Sequence, residues 1–300
     1  MSRIAFIGLG MMGTPMAARL AEAGHTLIVK DANVDVQDAF VKAHGASVIQ
    51  DRSELNADFL ILMLPNSAIV ESVLTGLSSR LGDGTVVIDM SSSSPLETRA
   101  LAKRLQSRGI NLIDAPVSGG QKGAINGTLS IMVGGDEHLY EKALAVLDVM
   151  GRCTYVGPIG AGHALKALNN YLSAAGLLAT VEALRAGAAF GLDPSVMTKV
   201  FNTSSGRNNT TENKVEQFML NGKFNSAFAL QLMAKDIGIA TDLAQQMQTP
   251  ISFGLSCEDI WKSISDRAPG ADHTEMYDWC KCTGHASSQF GLSQIVCVNI

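Results

Sequence analysis

Residues 3–20 read RIAFIGLGMMGTPMAARL, and the three glycines Gly8, Gly10 and Gly13 constrain the fold more than any other stretch of the chain. Glycine weakens a strand or helix interior by about 0.5–1 kcal/mol relative to alanine. A triplet between a buried-strand pattern (IAFIGL, 4–9) and a helical one (MAARLAEAG, 16–24) therefore needs a compensating use. Strand, Gly-x-Gly-x-x-Gly and helix in that order supply one. The first glycine permits the tight turn, the second lets a pyrophosphate approach the backbone, and the third lets the helix pack closely on the strand. Free N–H groups and partial positive charge at the helix start favour phosphate. Asp31 stands 18 residues after Gly13, at the end of a second strand pattern, TLIVKD (26–31). A carboxylate there accepts hydrogen bonds from a ribose and repels a 2′-phosphate. Ala32 and Asn33 follow it, with no arginine. The expected cofactor is NAD, with NADP less favoured and Lys30 the neighbour that softens the distinction.

The rest of the first half repeats the alternation. Strand patterns recur at ASVI (46–49), DFLILMLP (58–65), TVVIDMS (85–91), NLIDAPV (111–117) and LSIMVGG (129–135), with helical stretches to about His44 and across LETRALAKRLQSRG. Apolar strands separated by helices predict an α/β fold, a Rossmann-type, mostly parallel sheet covered on both faces. After about residue 160 the pattern becomes helical. A long helix is expected over 162–191, then DPSVMTKVFN with Asp193 as N-cap and Pro194 in the first turn. Helices over 228–247 and 251–266 follow, and the stretch after His285 shows no period. The expected organisation is a dinucleotide-binding domain over 1–161 and an all-α domain over 162–300, joined by the long helix.

Two further stretches carry chemistry. In DAPVSGGQKGAINGTLSIMVGG (114–135), Ser118, Gly119 and Gly120 follow a strand end, where ligands collect in open parallel sheets. Two glycines expose backbone N–H groups and Ser118 adds a hydroxyl, which fits either a carboxylate cradle or a flexible surface loop. In GPIGAGHALKALNNYL (157–172), Lys166, Asn169, Asn170 and, just beyond, Ser173 fall at i, i+3, i+4 and i+7 on one helix face. Such a face is either solvated or part of a site. The other faces of the segment are apolar, and a lysine with few charges around it has its pKa lowered by desolvation, which suits acid/base work.

Composition narrows the partners. The net charge is −5 and no Lys/Arg cluster appears, which argues against nucleic acid and anionic membranes. Five cysteines, none in the first 150 residues and none in a CxxC pair, fit a reducing cytoplasm rather than a disulfide framework. Cys280 and Cys282 lack a second pair to complete a zinc set, and no HExxH occurs, so no metal site is expected. The apolar start breaks at its glycines and runs into Arg19 and Glu22, unlike a secretory signal. The apolar stretch 171–184 is short and contains Glu182, so no membrane span is expected. A cytoplasmic enzyme acting on a small molecule is the expectation.

The segments FIGLGMMGTPMAARLAEAGH, MLP, IDMSSSSP, DAPVSGGQKGAINGTLSIMVGG, GPIGAGHALKALNN, SSGR and KDIGIA, spread over residues 6–240, resemble the β-hydroxyacid dehydrogenase family in its own order. Within it, the likeness is to 3-hydroxyisobutyrate and tartronate-semialdehyde-type enzymes. That resemblance implies that Gly8, Gly10, Met12 and Gly13 line the pyrophosphate, Asp31 holds the ribose, and Leu64, Pro65 and Ser92 border the cofactor. It implies a substrate carboxylate on Ser118, Gly119 and Gly120, and Lys166 as catalytic acid/base, with Asn170 and Asn169 orienting the substrate's oxygens. Lys235 is similar to the family's lysine that reaches the cofactor, with Asp236 beside it; periodicity alone reads the pair as an exposed helix pair. The family often has threonine where Ser92 stands, and CTGHASSQFGLSQIVCVNI matches no part of its pattern. The implied reaction is hydride transfer between nicotinamide and the β-carbon of a small β-hydroxy acid, in a homodimer or homotetramer. The alternatives are a tartronate or succinic semialdehyde reductase, a threonate-type sugar-acid dehydrogenase and, from another class, a non-catalytic NAD-binding protein.

Overall fold

The computed structural model describes residues 1–50 and 55–279. Among the described residues nine strands form one sheet: β1 (Arg3–Ile7), β2 (Thr26–Lys30), β3 (Ser47–Val48), β4 (Phe59–Leu62), β5 (Val86–Asp89), β6 (Asn111–Asp114), β7 (Val117–Ser118), β8 (Leu129–Gly134) and β9 (Gly151–Gly157). They lie in the order β3-β2-β1-β4-β5-β6-β8-β7, with β9 also on β8. Pairing is parallel from β3 through β6, antiparallel where β8 meets β6 and β7, and parallel again between β8 and β9. Strand order reverses between β1 and β4, the point at which such sheets bind ligands beyond their carboxyl ends.

Burial on both faces follows from the side-chain alternation. Ile4, Phe6, Val29, Ile61 and Ile88 pack with Met16, Ala17 and Leu20 of α1 (Gly13–Glu22) and with Ala143, Val146 and Leu147 of α6 (Glu137–Leu147). Ala5, Ile7, Leu60, Leu62 and Val87 face the other way, onto Val70, Leu74 and Leu77 of α3 (Ser67–Leu77) and Leu101 and Leu105 of α4 (Pro95–Gln106). Each fully buried Leu, Ile or Phe contributes about 1.5–3 kcal/mol, and near-continuous apolar strands are what a sheet covered on both sides requires. The expected single strand over 111–117 is two: Pro116 has no N–H to extend the ladder, and Val117–Ser118 instead pairs antiparallel with Ile131 and Ser130. Helices α2 (Val34–His44) and α5 (Gly120–Asn126) complete the α/β part. The pattern reading passes over α3, α5, α6 and β9.

The helical part comprises α7 (Ala161–Phe190), α8 (Pro194–Asn202), α9 (Asn209–Asn213), a π-helical turn over Val215–Met219, α10 (Leu230–Gln246), α11 (Ser252–Ser265), a 3₁₀ turn over His273–Glu275 and α12 (Met276–Trp279). Asp193 caps α8 by accepting the Val196 amide, with Pro194 in the first turn. By compactness the chain forms two units, Met1–Tyr171 with Lys235–Ser252, and Leu172–Ala234 with Phe253–Ile300. The division thus falls inside α7, ten residues past the start expected for the helical domain, and most of α10 belongs to the first unit. In the second unit Leu177, Val181, Leu184, Val215, Trp261 and Met276 are buried. By length and composition alone α7 is apolar enough to cross a membrane, but it carries Lys166, Asn170, Glu182 and Arg185. The unassigned stretch after His285 and Cys280, Cys282 and Cys297 lie outside the described residues.

Candidate active site

The first unit holds a nucleotide end and a polar cluster. After β1 the chain turns at Gly8, whose φ of +100° favours glycine, and whose amide donates to the Lys30 carbonyl at 3.0 Å. A Cβ on Gly8 would strike the Met63 carbonyl, and one on Gly13 the Gly8 carbonyl, so both are required by close backbone approach. Gly10 has open space around it. The α1 start carries no side-chain cap and no acidic residue in its first turn, which leaves its amides and dipole to an anion. Met12, half-buried, packs against the core beneath the sheet's first strand. Asp31 is held over the loop: Oδ2 accepts the Leu9 amide at 2.5 Å and Oδ1 the Asn33 amide at 2.7 Å. Each carboxylate oxygen keeps a lone pair for a ribose hydroxyl. The open Gly10, the uncapped helix start and the aimed carboxylate fit a dinucleotide.

Further along the sheet, the Leu64 amide donates to Ser91 Oγ at 2.9 Å, which ties the loop after β4 to the loop after β5. Lys235 Nζ donates to the Ser92 carbonyl at 2.8 Å and to the Pro65 carbonyl at 3.3 Å, strapping the same two loops from α10. Asp236 is the hub. Its Oδ1 accepts Ser92 Oγ at 2.7 Å, its Oδ2 accepts Asn170 Nδ2 at 2.5 Å, and Lys235 Nζ lies 3.2 Å from Oδ1. Asn169 Nδ2 in turn donates to Asn170 Oδ1 at 3.2 Å, although Asn169 itself is exposed. Lys166 is 9% exposed, and its side chain makes no hydrogen bond among the described residues. Burial pushes its pKa below the ordinary lysine value; the Asp236 carboxylate opposes that and the Lys235 charge adds to it.

The structure therefore brings Lys166, Asn169, Asn170, Ser92, Pro65 and Lys235 into one cluster, with Asp31, Leu9 and the glycines in a second. Leu64 belongs to the loop tie. Ser118 ends β7 opposite Ser130, and Gly119 and Gly120, with φ of +126° and +62°, turn the chain into α5. No hydrogen bond links these three to Lys166 or Asn170 among the described residues. Reading the sequence as an exposed Lys235–Asp236 pair misses the hub: Asp236 is 2% exposed. Its signal is the charge set among Met233, Ala234, Ile237 and Ala240, all buried on the same helix.

Comparison with known proteins matches residues 3–157 to the NAD-binding domain of 6-phosphogluconate dehydrogenase. Residues 160–280 match the NAD-binding model of NADP-dependent 3-hydroxyisobutyrate dehydrogenase. The chain is 40% identical over 280 residues to 2-(hydroxymethyl)glutarate dehydrogenase of Eubacterium barkeri, covering 91% of this chain and 92% of that protein. It is 38% identical to an NAD-dependent L-serine dehydrogenase of Pseudomonas aeruginosa, over 88% of this chain and 92% of the other. A Mycobacterium tuberculosis 3-hydroxyisobutyrate dehydrogenase solved with L-serine superposes with a TM-score of 0.86 at 32% identity, covering 93% of this chain and 99% of that one. With both parts of the chain matched and the glycine loop, Asp31 and the Lys166 helix in place, the chain belongs to the β-hydroxyacid dehydrogenase family.

Proposed function

We propose that this chain is an NAD-dependent dehydrogenase of a small β-hydroxy acid, most like 3-hydroxyisobutyrate, with Lys166 as general acid/base. One observation carries the reading: a buried lysine whose side chain has no hydrogen-bond partner among the described residues, beside an Asp236 that also holds Asn170 and Ser92. Gly8, Gly10, Met12, Gly13, Asp31, Leu64, Pro65, Ser92 and Lys235 would hold NAD, which supplies hydride acceptance at nicotinamide C4 when bound. Lys166 Nζ as neutral amine takes the hydroxyl proton in oxidation and, as ammonium, returns it in reduction. Its lowered pKa makes the neutral form accessible at milder pH than for a free lysine. Asn170 is fixed by Asp236 and orients the substrate's oxygen, and the Ser118–Gly120 turn offers backbone N–H groups to its carboxylate. We assign the protein to the cytoplasm and to a homodimer or homotetramer; exposed Leu165, Leu168 and Leu172, at i, i+3 and i+7 of α7, support self-association, which light scattering checks.

The test is NADH formation with 3-hydroxyisobutyrate, L-serine, 2-(hydroxymethyl)glutarate and threonate, and NADH consumption with tartronate and succinic semialdehydes. Highest kcat/KM on 3-hydroxyisobutyrate is the expected result. A better semialdehyde or threonate moves the substrate assignment, and silence across the panel with intact NADH binding leaves a binding protein.

A further inference from the structure

Asp89 and Asp114 end the adjacent strands β5 and β6 in register with each other, and both are buried. Two buried carboxylates side by side are costly unless hydrogen bonds and facing groups compensate. The compensation runs toward the polar cluster from two directions. Asp89 accepts the Ser91 amide and the Ser93 hydroxyl, each at 3.0 Å, and so shapes the loop that carries Ser92. Asp114 accepts the Gly160 amide at 2.7 Å on Oδ1 and the His163 amide at 2.8 Å on Oδ2, capping the start of α7 from outside the helix. Those N–H groups belong to the set that a helix start leaves unpaired, and a carboxylate there meets the positive end of the helix dipole. Burial raises the Asp114 carboxyl pKa, while the His163 ring and the two amides pull it down.

The His163 ring lies between the two carboxylates and hydrogen-bonds neither, its Nε2 having no hydrogen-bond partner among the described residues. Thr98 Oγ1 donates to the Ser94 carbonyl at 2.9 Å, which leaves it an acceptor for His163 Nδ1–H, also at 2.9 Å. Nδ1 lies 3.8 Å from Asp114 Oδ2, and Nε2 lies 3.8 Å from Asp89 Oδ2. Two glycines make the approach possible. A Cβ on Gly134 would stand 2.7 Å from Asp114 Oδ1, and one on Gly162 2.8 Å from Oδ2. His163 precedes Lys166 by three residues, one turn of the same helix.

We propose that Asp114 and His163 are positioning residues for proton transfer at Lys166, an inference that rests on the acid/base reading above. They touch no substrate atom. Asp114 sets the height of the first turn of α7, and the His163 ring, wedged between Asp114, Asp89 and Thr98, sets its rotation against the Ser91–Ser93 loop. Lys166 and Asn170 are thereby held against Ser92 and Asp236. A displacement of about 1 Å in such a group costs on the order of 100-fold in rate.

The test compares His163→Leu, His163→Asn, Asp114→Asn and Lys166→Ala in the full chain, by kcat and KM on 3-hydroxyisobutyrate and by NADH affinity from fluorescence. His163→Asn returns an N–H near the Nδ1 position. His163→Leu is expected to lower kcat at least tenfold with NADH affinity unchanged, His163→Asn to recover kcat to within about threefold, and Asp114→Asn to follow His163→Leu. Wild-type kcat in His163→Leu overturns the proposal, as does a parallel loss of kcat and NADH affinity in both His163 variants, which marks a merely structural role. If Asp114→Asn fails to fold, the two His163 variants decide alone. A Lys166→Ala enzyme that keeps its kcat sinks the acid/base reading instead, whatever the His163 variants do.

Discussion

Among the described residues two lysines beside carboxylates, buried Lys166 in the first unit and half-buried Lys214 in the second, have their pKa lowered by desolvation. Lys166 sits by Asp236, whose two oxygens are already engaged by Ser92 and Asn170. Lys214, just before the π-helical turn, donates to Ser173 Oγ at 3.4 Å and faces Asp272, and its pKa falls to about 8. Around it, Asp272 is occupied by Ser226 and Thr274, and burial together with the Lys214 charge pushes His273 down to about 4. Desolvation alone does not distinguish a reactive amine from a structural one. The surroundings do: Lys166 lies among groups that tie the loops after β4 and β5 to α10, whereas Lys214 lies among groups that hold residues 226–229 to the 3₁₀ turn through Asp272.

Replacing each lysine is the strongest way to break that contrast. Lys166→Ala is expected to lower kcat by about 10²–10⁴-fold while NADH affinity is kept; if Lys214→Met costs as much turnover, the contrast collapses. Lys214→Met is expected instead to stabilise the fold. Its pKa of about 8 lies below the ordinary 10.5, so below pH 8 the unfolded chain gains more than the folded one from keeping this lysine charged. The penalty is full below pH 8, shrinks as pH rises, and is gone above 10.5. Removing it is worth about 3 kcal/mol at neutral pH, read from denaturant midpoints at neutral and alkaline pH. Asp236→Asn sharpens the difference from the other side. Losing its charge removes the one influence that raises the Lys166 pKa, so the oxidative rate, which needs the neutral amine, should begin its rise at lower pH, with kcat about tenfold lower. His273→Asn gives the smallest effect. Because His273 is neutral in the fold to about pH 4 but charges in the unfolded chain below 6.5, the wild type should lose stability between pH 6.5 and 4, and the variant should lose less.

Much of this was legible in the residues themselves. β1, β2, β4 and β5 declare themselves because strands buried on both faces are continuously apolar, and the face of Lys166, Asn169 and Asn170 follows from helical spacing. β9 did not, since GRCTYVG alternates half-exposed residues between two glycines and offers no apolar run. Asp236 was opaque for a different reason. Adjacent charges on a helix are usually solvated, and only the loops brought up by β4 and β5 make this one a buried acceptor. The Asp89–His163–Asp114 group was equally silent, for its members stand 25 and 49 residues apart and meet only because two strands end in register.

The membership of Lys235–Ser252 in the first unit bears on how the protein can be taken apart. A fragment ending at Tyr171 would contain the whole sheet yet lack the ammonium that straps Pro65 to Ser92 and the carboxylate that holds Asn170. The nucleotide half is thus contiguous in space but not in chain, and a dissection respecting its chemistry needs a shortcut linking residue 171 to residue 235 rather than a stop codon.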